Sequence, residues 1–287
     1  MLLYQRIRAR AEKGEKSILL VPEQFTSSTE GRIYRELGDA LSGMVESFSF
    51  TSLAEKILST EGGAAVQTLS DAGRAVLVRR ALEELQDNVH YYHRHRRSAA
   101  FCQMAAQTID ELKSAGLSGQ QLAQLAGACG AESGKLSELA LIFQGYETLL
   151  ARSGMDPSDR LELAGARLEE ALARHSLPEF LRDRAVFIDE FDTFNAPKKR
   201  LLGAMLAALP SVTVALCDDG APLLPGDLSL FSGAKQVAAQ LRQLARKNGA
   251  EVAVPQLLRK DLRHRNAPGL AAVAELLETG SCLLYTS

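Results

Sequence analysis

Three short apolar runs constrain the fold of this chain more than any other feature. Ser17-Ile18-Leu19-Leu20-Val21 stops at Pro22, while Ala185-Val186-Phe187-Ile188 and Val212-Thr213-Val214-Ala215-Leu216 run into acidic residues. Runs this short, apolar at nearly every position, suit strands covered on both faces, as in a parallel sheet. Between the second and third, Lys198 to Ala208 carries Leu201, Leu202, Met205 and Leu206 at helical spacing, with Leu209 following before Pro210 stops the pattern. Strand, helix and strand in that order form a βαβ unit. Leu2 to Lys13 reads as a helix with Leu3, Ile7 and Arg10 one turn apart, closed by Gly14 ahead of the Ser17 strand.

The middle of the chain differs. From Ser70 to about Ser176 there is no convincing strand, only amphipathic segments separated by Gly or Pro, the clearest stripe being Leu136, Leu139, Ala140, Phe143, Tyr146, Leu149 and Leu150. Ser70 is a plausible N-cap, and Asp71 in the first turn suits the helix dipole. The expectation is therefore an α/β chain in which a helical block at 70–180 interrupts a parallel-sheet core made of 1–69 and 181–280, with 281–287 an unassigned tail. Parallel strands tolerate such long crossovers, and each α/β piece alone is too small to cover its sheet. Both ends look unfinished: with no strand before Leu2, the Ser17 strand is short of a partner, and the residues after Gly280 carry no pattern. A fragment of a longer chain is expected.

Charge and composition exclude several classes. The 33 Lys+Arg nearly balance 35 Asp+Glu for a net charge of -2, so no global positive field draws the chain to nucleic acid or anionic lipid. Any such contact must be local. No apolar stretch is long enough for a spanning helix and the start has no secretory pattern, so a cytoplasmic protein without membrane contact is expected. The 4 Cys are scattered at Cys102, Cys129, Cys217 and Cys282, without metal or disulfide spacing. Cys102 and Cys129 read as small core residues.

Few residues could carry chemistry. Asp189-Glu190 ends an apolar strand, where nucleotide hydrolases place one carboxylate beside magnesium and a second to orient water; the competing reading is a solvated acidic loop with Asp192. No Gly-rich loop closes on Lys and Ser or Thr, and Gly130 to Lys135 fails as an imitation because its glycines are too close and Glu132 stands where phosphate would sit. Hydrolase elbows are missing too. Basic residues cluster at His90 to Arg97, at Lys198-Lys199-Arg200 and at Arg259 to Arg265. The first mixes Arg with Tyr and His rings, as single-strand binders do, or is simply a solvated interhelical loop. Its histidines lack Cys or carboxylate at ligand spacing.

Several strings together carry a family resemblance. Val21-Pro22-Glu23-Gln24-Phe25-Thr26, Val45 to Ala54, Leu69 to Arg74, Ile109 to Leu117, Asp156 to Leu161 and Val186 to Phe194 resemble the N-terminal part of the AddB/RexB family, the B-type component of the bacterial ATP-dependent helicase/deoxyribonuclease. The resemblance covers nearly the whole chain. It implies a RecA-like core of the superfamily-one, UvrD-like kind (domain 1A) with an inserted helical subdomain (1B-like). It also implies a DNA-contact lip at Gln24, Phe25 and Thr26 after one strand and at Phe48, Ser49 and Ser52 after another. Asp189 matches the magnesium carboxylate and Glu190 the water-positioning one, but the Gln usual soon after them is absent, as is the γ-phosphate-sensing Gln at Cys217-Asp218-Asp219-Gly220. In that family the phosphate loop falls just before the position of Leu2, and a nuclease domain and iron–sulfur cysteines lie far beyond Ser287.

The resemblance thus implies a heterodimer with the A-type component of the same helicase-nuclease, acting on double-strand DNA ends in recombinational repair and scanning single-stranded DNA for a hotspot sequence, with ATP and magnesium as the family's cofactors. The chain alone is expected not to hydrolyse ATP. A different expectation, independent of the resemblance, is a non-catalytic interaction module whose helical block offers a groove to a partner protein.

Overall fold

The computed structural model describes residues 2–130 and 133–258 together with Gly269, Leu270, Ala272, Val273 and Leu276. The described residues fall into two compact units, one up to Ala215 and one from Leu216 onward.

The first unit is α/β. Helix α1 (Leu2–Ala11) leads through Gly14, at φ 77°, into strand β1 (Ser17–Leu20). A 3-10 turn (Glu23–Phe25), α2 (Thr26–Leu37) and the single turn α3 (Asp39–Ser42) return the chain to β2 (Val45–Phe48), which is followed by α4 (Phe50–Glu61). Then come α5 (Asp71–Glu84), a 3-10 turn (His93–His95), α6 (Ala99–Ser114), α7 (Gly119–Ala126), α8 (Ser133–Ser153) and α9 (Pro157–Ala173) before β3 (Ala185–Ile188), α10 (Ala196–Ala208) and β4 (Ser211–Val214). All strands are parallel, in the order β2-β1-β3-β4.

The sheet explains the apolar runs. Every residue of β1 and β3 is buried. On one face Leu19 and Phe187 pack with Leu3, Ile7 and Ala11 of α1 and Ile33 and Leu37 of α2. Ile18, Leu20, Val186 and Ile188 must then point to the other face, where α4 and α10 meet the outer strands. One expectation is corrected here. The Ser17 strand is not short of a partner but central, paired with β2 on one side and β3 on the other. Val45-Glu46-Ser47-Phe48 gives no apolar run because β2 is an edge strand, with Glu46 reaching Arg184 at the foot of β3. The third run starts and ends earlier than read, since β4 stops at Val214.

Between α4 and β3 the described residues form helices α5–α9, with an isolated Thr68–Met155 bridge. The apolar core of these helices joins Val78 and Leu82, Cys102 and Ile109, Leu122, and Ile142, Phe143 and Tyr146. Ser70 caps α5 by accepting from the Gly73 N–H at 3.2 Å. Cys102 is buried as expected, but Cys129 lies exposed beyond the end of α7. A polar knot ties the helices together. The Asp156 carboxylate, 1% exposed, accepts from the Tyr146 hydroxyl at 2.6 Å and the Lys113 ammonium at 2.9 Å, while Lys113 also reaches Asp159 at 2.7 Å. Arg74 pairs with Asp71 and Asp110, and Arg160 of α9 is buried in an ion pair with Glu55 of α4. The Ile109 and Asp156 strings therefore bond to one another across the block.

In the second unit, Lys235 of α11 (Ser232–Lys247) meets Asp219 at 3.1 Å and Asp227 at 3.3 Å. Gly220, at φ 77°, lies against the Leu257 side chain, where a Cβ would come within 2.7 Å. The Arg259 to Arg265 cluster, Gly280 and Cys282 lie outside the described residues. Among the described residues no helix is long and apolar enough to cross a membrane.

Candidate functional site

Parallel strands put all their C-terminal ends on one edge, and in sheets whose order reverses, ligands bind where neighbouring strands lead to opposite sides. Here β1 continues to β2 on one side, and its other neighbour is β3. At that place lies a cleft of about 240 Å³ lined by Tyr4, Val21, Phe25, Ser28, Thr29, Arg32, Arg35, Asp189 and Glu190. Of the residues expected at the site, Phe25, Asp189 and Glu190 line this cleft, whereas Gln24, Thr26, Phe48, Ser49 and Ser52 stand at the same C-terminal strand edge, after β1 and at or just past the end of β2, without lining it.

Each is held differently. Gln24 is exposed and Phe25 is 38% exposed, while the Thr26 hydroxyl donates to the Glu23 carbonyl at 3.0 Å as α2 begins. Phe48 is half-buried in β2. Ser49 is the buried N-cap of α4: its hydroxyl oxygen accepts from the Ser52 N–H at 3.0 Å and the Ser52 hydroxyl oxygen accepts from the Ser49 N–H at 2.8 Å. That reciprocal box satisfies backbone donors at the helix start, so both hydroxyls are committed to the cap. The Asp189 N–H extends the ladder to the Leu20 carbonyl at 3.0 Å, and its Oδ1 accepts from the Glu190 N–H at 3.1 Å. Glu190 takes a left-handed backbone, φ 63°, and its carboxylate faces Arg32 Nη1 at 3.8 Å. The Arg32 guanidinium in turn lies over the Tyr4 ring, 4.7 Å from its centroid. Burial pushes the Tyr4 hydroxyl above its ordinary pKa, opposed by Arg32 and reinforced by Asp189, Glu36 and Glu190.

The cleft therefore joins two guanidinium groups, three hydroxyl residues and two carboxylates. Magnesium commonly takes one or two protein carboxylates and completes its shell with phosphate and water oxygens. Asp189 fits that demand and Arg32 and Arg35 fit an anion, whereas the 287 residues contain no Gly-rich phosphate cradle. No group of three or more His, Cys, Asp or Glu forms a metal cage among the described residues.

Sequence reasoning missed Tyr4, Ser28, Arg32 and Arg35. The signal was available: Ser28, Arg32 and Arg35 recur at helical spacing directly after a strand end, beside the buried stripe Thr29, Ile33 and Leu37. It also missed an aromatic anchor. The Phe50, Phe191 and Phe194 rings meet with centroids 5.3 to 6.0 Å apart, and the Lys198 ammonium lies 5.5 Å from the Phe191 ring. The acidic loop after β3 is thus half true, with Glu190 and Asp192 exposed but Phe191 and Phe194 buried. The Lys198-Lys199-Arg200 cluster is engaged at both ends, with Lys198 over the Phe191 ring and the exposed Arg200 paired with Glu162 and Glu169 of α9.

Comparison with known proteins gives one consistent match. The family described as "ADDB, N-terminal" covers residues 1–274. Proteins named as the B-type component of ATP-dependent helicase/deoxyribonuclease are similar to this chain. The relative in Desulforudis audaxviator is 34% identical over 91% of this chain and 22% of its own length. The relative in Symbiobacterium thermophilum is 32% identical over 93% and 23%. The relative in Moorella thermoacetica is 32% identical over 92% and 23%. The chain spans less than a quarter of the length of these relatives. A family model that matches residues 1–274, nearly every described residue, shows that the chain belongs to the AddB N-terminal family.

Proposed function

We propose that this chain is the N-terminal, single-strand-holding part of a helicase-nuclease subunit that processes double-strand DNA breaks for recombinational repair. The carrying observation is the convergence of three strand-end segments, at Gln24-Phe25, Phe48-Ser49 and Asp189-Glu190, on one edge beside the Arg32 and Arg35 cleft. Cations there can neutralise backbone phosphate and the exposed Phe25 ring can stack on a base. The reading includes a RecA-like, superfamily-one core of 1–69 and 181–280 with 70–180 as the inserted subdomain, and a contribution to hotspot-sequence recognition.

Within it Gln24 and Phe25 make the first contacts, and Phe48 supports them from the neighbouring strand. Thr26, Ser49 and Ser52 shape the edge through their caps. Asp189 would hold magnesium brought in by nucleotide phosphates, which would supply charge neutralisation there. Glu190, turned toward Arg32, supports a binding role over water activation. ATP hydrolysis, nuclease action, an iron–sulfur cluster and pairing with the A-type component belong to the whole heterodimer in this reading, and a cytoplasmic site of action follows from the DNA substrate.

The test is binding of a fluorescent single-stranded oligonucleotide by the chain and by its Gln24→Ala/Phe25→Ala variant over a salt series. The reading expects weaker binding in the variant and an affinity that falls steeply with salt. Equal affinity of the two proteins at low and moderate salt sinks it. An affinity indifferent to salt would instead favour the protein-interaction module.

A further inference from the structure

The loop between α5 and α6 carries a surface that the strand-edge site does not use. Its eight residues from His90 to Arg97 contain three Arg, three His and two Tyr and no acid. Arg94 and Arg97 are exposed, and neither these nor Arg96 pairs with an acid among the described residues. The rings are not scattered. Tyr92 and His95 both lie against Phe101, with centroids 5.3 and 5.7 Å away and planes inclined by 30° and 32°. They line a shallow depression of about 400 Å³ whose far side is Met104, 56% exposed. Tyr91, 57% exposed, lies beside Gly134 of α8, where any Cβ would come within 2.8 Å of the ring.

This loop is also held rigid from below. The buried carboxylate of Glu138 accepts the N–H groups of His90 at 2.7 Å, Tyr91 at 2.9 Å and Tyr92 at 3.3 Å. A charged acceptor serving three successive amides fixes the backbone that presents the rings, so little order remains to be imposed by a ligand.

We infer that this face of the helical block is a second contact for single-stranded DNA, with bases stacked on the Tyr91, Tyr92, His95 and Phe101 rings and phosphates met by Arg94 and Arg97. The charge decides the occupant: a cationic rim around near-parallel rings complements a polyanion whose flat faces are uncovered, and a duplex hides those faces. The choice of DNA rests on the function proposed above, but the residues are on different elements and can be tested apart.

The experiment measures anisotropy of a labelled oligothymidylate with the whole 287-residue chain over a salt series. Three variants at exposed positions are compared: Tyr91→Ala/His95→Ala, Arg94→Ala/Arg97→Ala, and the edge variant Gln24→Ala/Phe25→Ala, each shown by circular dichroism to melt like the parent. The ring variant should bind about tenfold more weakly at every salt concentration, within the range for losing base stacking. The arginine variant should lose affinity at low salt and show a log–log slope shallower by roughly 1.4, about 0.7 for each phosphate no longer neutralised on a single strand. Parent-like binding by both loop variants overturns the inference. If it is accompanied by weaker binding in the edge variant, the strand-edge reading survives alone. Weaker binding in the loop variants with an unaffected edge variant supports the inference and removes the edge reading. No binding by the parent chain, or a preference for oligouridylate over oligothymidylate, overturns the inference as well.

Discussion

Replacing Asp156 by Ala tests whether the polar knot holds the helical block together. The substitution leaves the Tyr146 hydroxyl, in a side chain 1% exposed, without its partner at 2.6 Å, and an unsatisfied buried donor costs about 1–3 kcal/mol. It also removes one of two carboxylates from Lys113, whose ammonium keeps Asp159 at 2.7 Å, so that loss stays near 1 kcal/mol. The expected total is about 3 kcal/mol, at the lower end of the roughly 3–5 kcal/mol that a buried charge left with no partner costs. Tyr146→Phe alone should cost about 1 kcal/mol and almost nothing in the Asp156→Ala background, because the same bond cannot be removed twice; the coupling is then about 1 kcal/mol. The chain has no Trp, so urea unfolding is followed by helical circular dichroism. A cost below about 1 kcal/mol for Asp156→Ala, or additive single and double variants, would refute the reasoning.

The same knot should fail in alkali. Burial, then the Asp156 bond, pushes Tyr146 far above the usual tyrosine range, and bonds to Asp159 and Asp156 raise Lys113 despite the opposing effect of its burial. Both folded values exceed the unfolded ones of about 10, so this stabilisation is full below about pH 10 and lost as pH rises through the folded values. Stability curves should therefore fall above pH 10 in the parent and less steeply in Asp156→Ala. Phe143→Ala, at a fully buried position of α8, should cost about 3–5 kcal/mol in the same urea assay, and a smaller loss would mean the core around it collapses to fill the space. Glu138→Ala should speed hydrogen exchange at the His90, Tyr91 and Tyr92 amides, while unchanged protection would show that the carboxylate does not hold the loop. Gly116→Ala should lower the melting temperature, since Gly116 sits at φ 84° and a Cβ there would meet Ala196 at 2.9 Å; an unchanged melt would show that α10 can give way.

Much of the architecture was legible in local pattern. Leu19-Leu20 and Val186 to Ile188 are apolar on both faces because helices cover both sides of the sheet, and that requirement is written into adjacent residues. Ser70, Pro210 and the stripe of α8 mark helix limits by chemistry acting over three or four residues. β2 was not legible as a strand. On this edge strand Glu46 stays partly exposed while pairing with Arg184 across β1, so the apolar run that would betray a strand was never required.

The site divides along the same line. By itself the sequence determined that acids end one strand, that Val21 to Thr26 ends another, and that a basic, ring-bearing loop interrupts the helices. Only the tertiary structure decided that Tyr4, Arg32 and Glu190 share one cleft, and that Glu138 grips the amides of a loop nearly fifty residues before it. The reason is range. Hydrophobic period and capping act between neighbours and leave a trace in neighbouring letters, whereas an ion pair or a clasped loop depends on where the parallel register and the helix packing bring distant residues together.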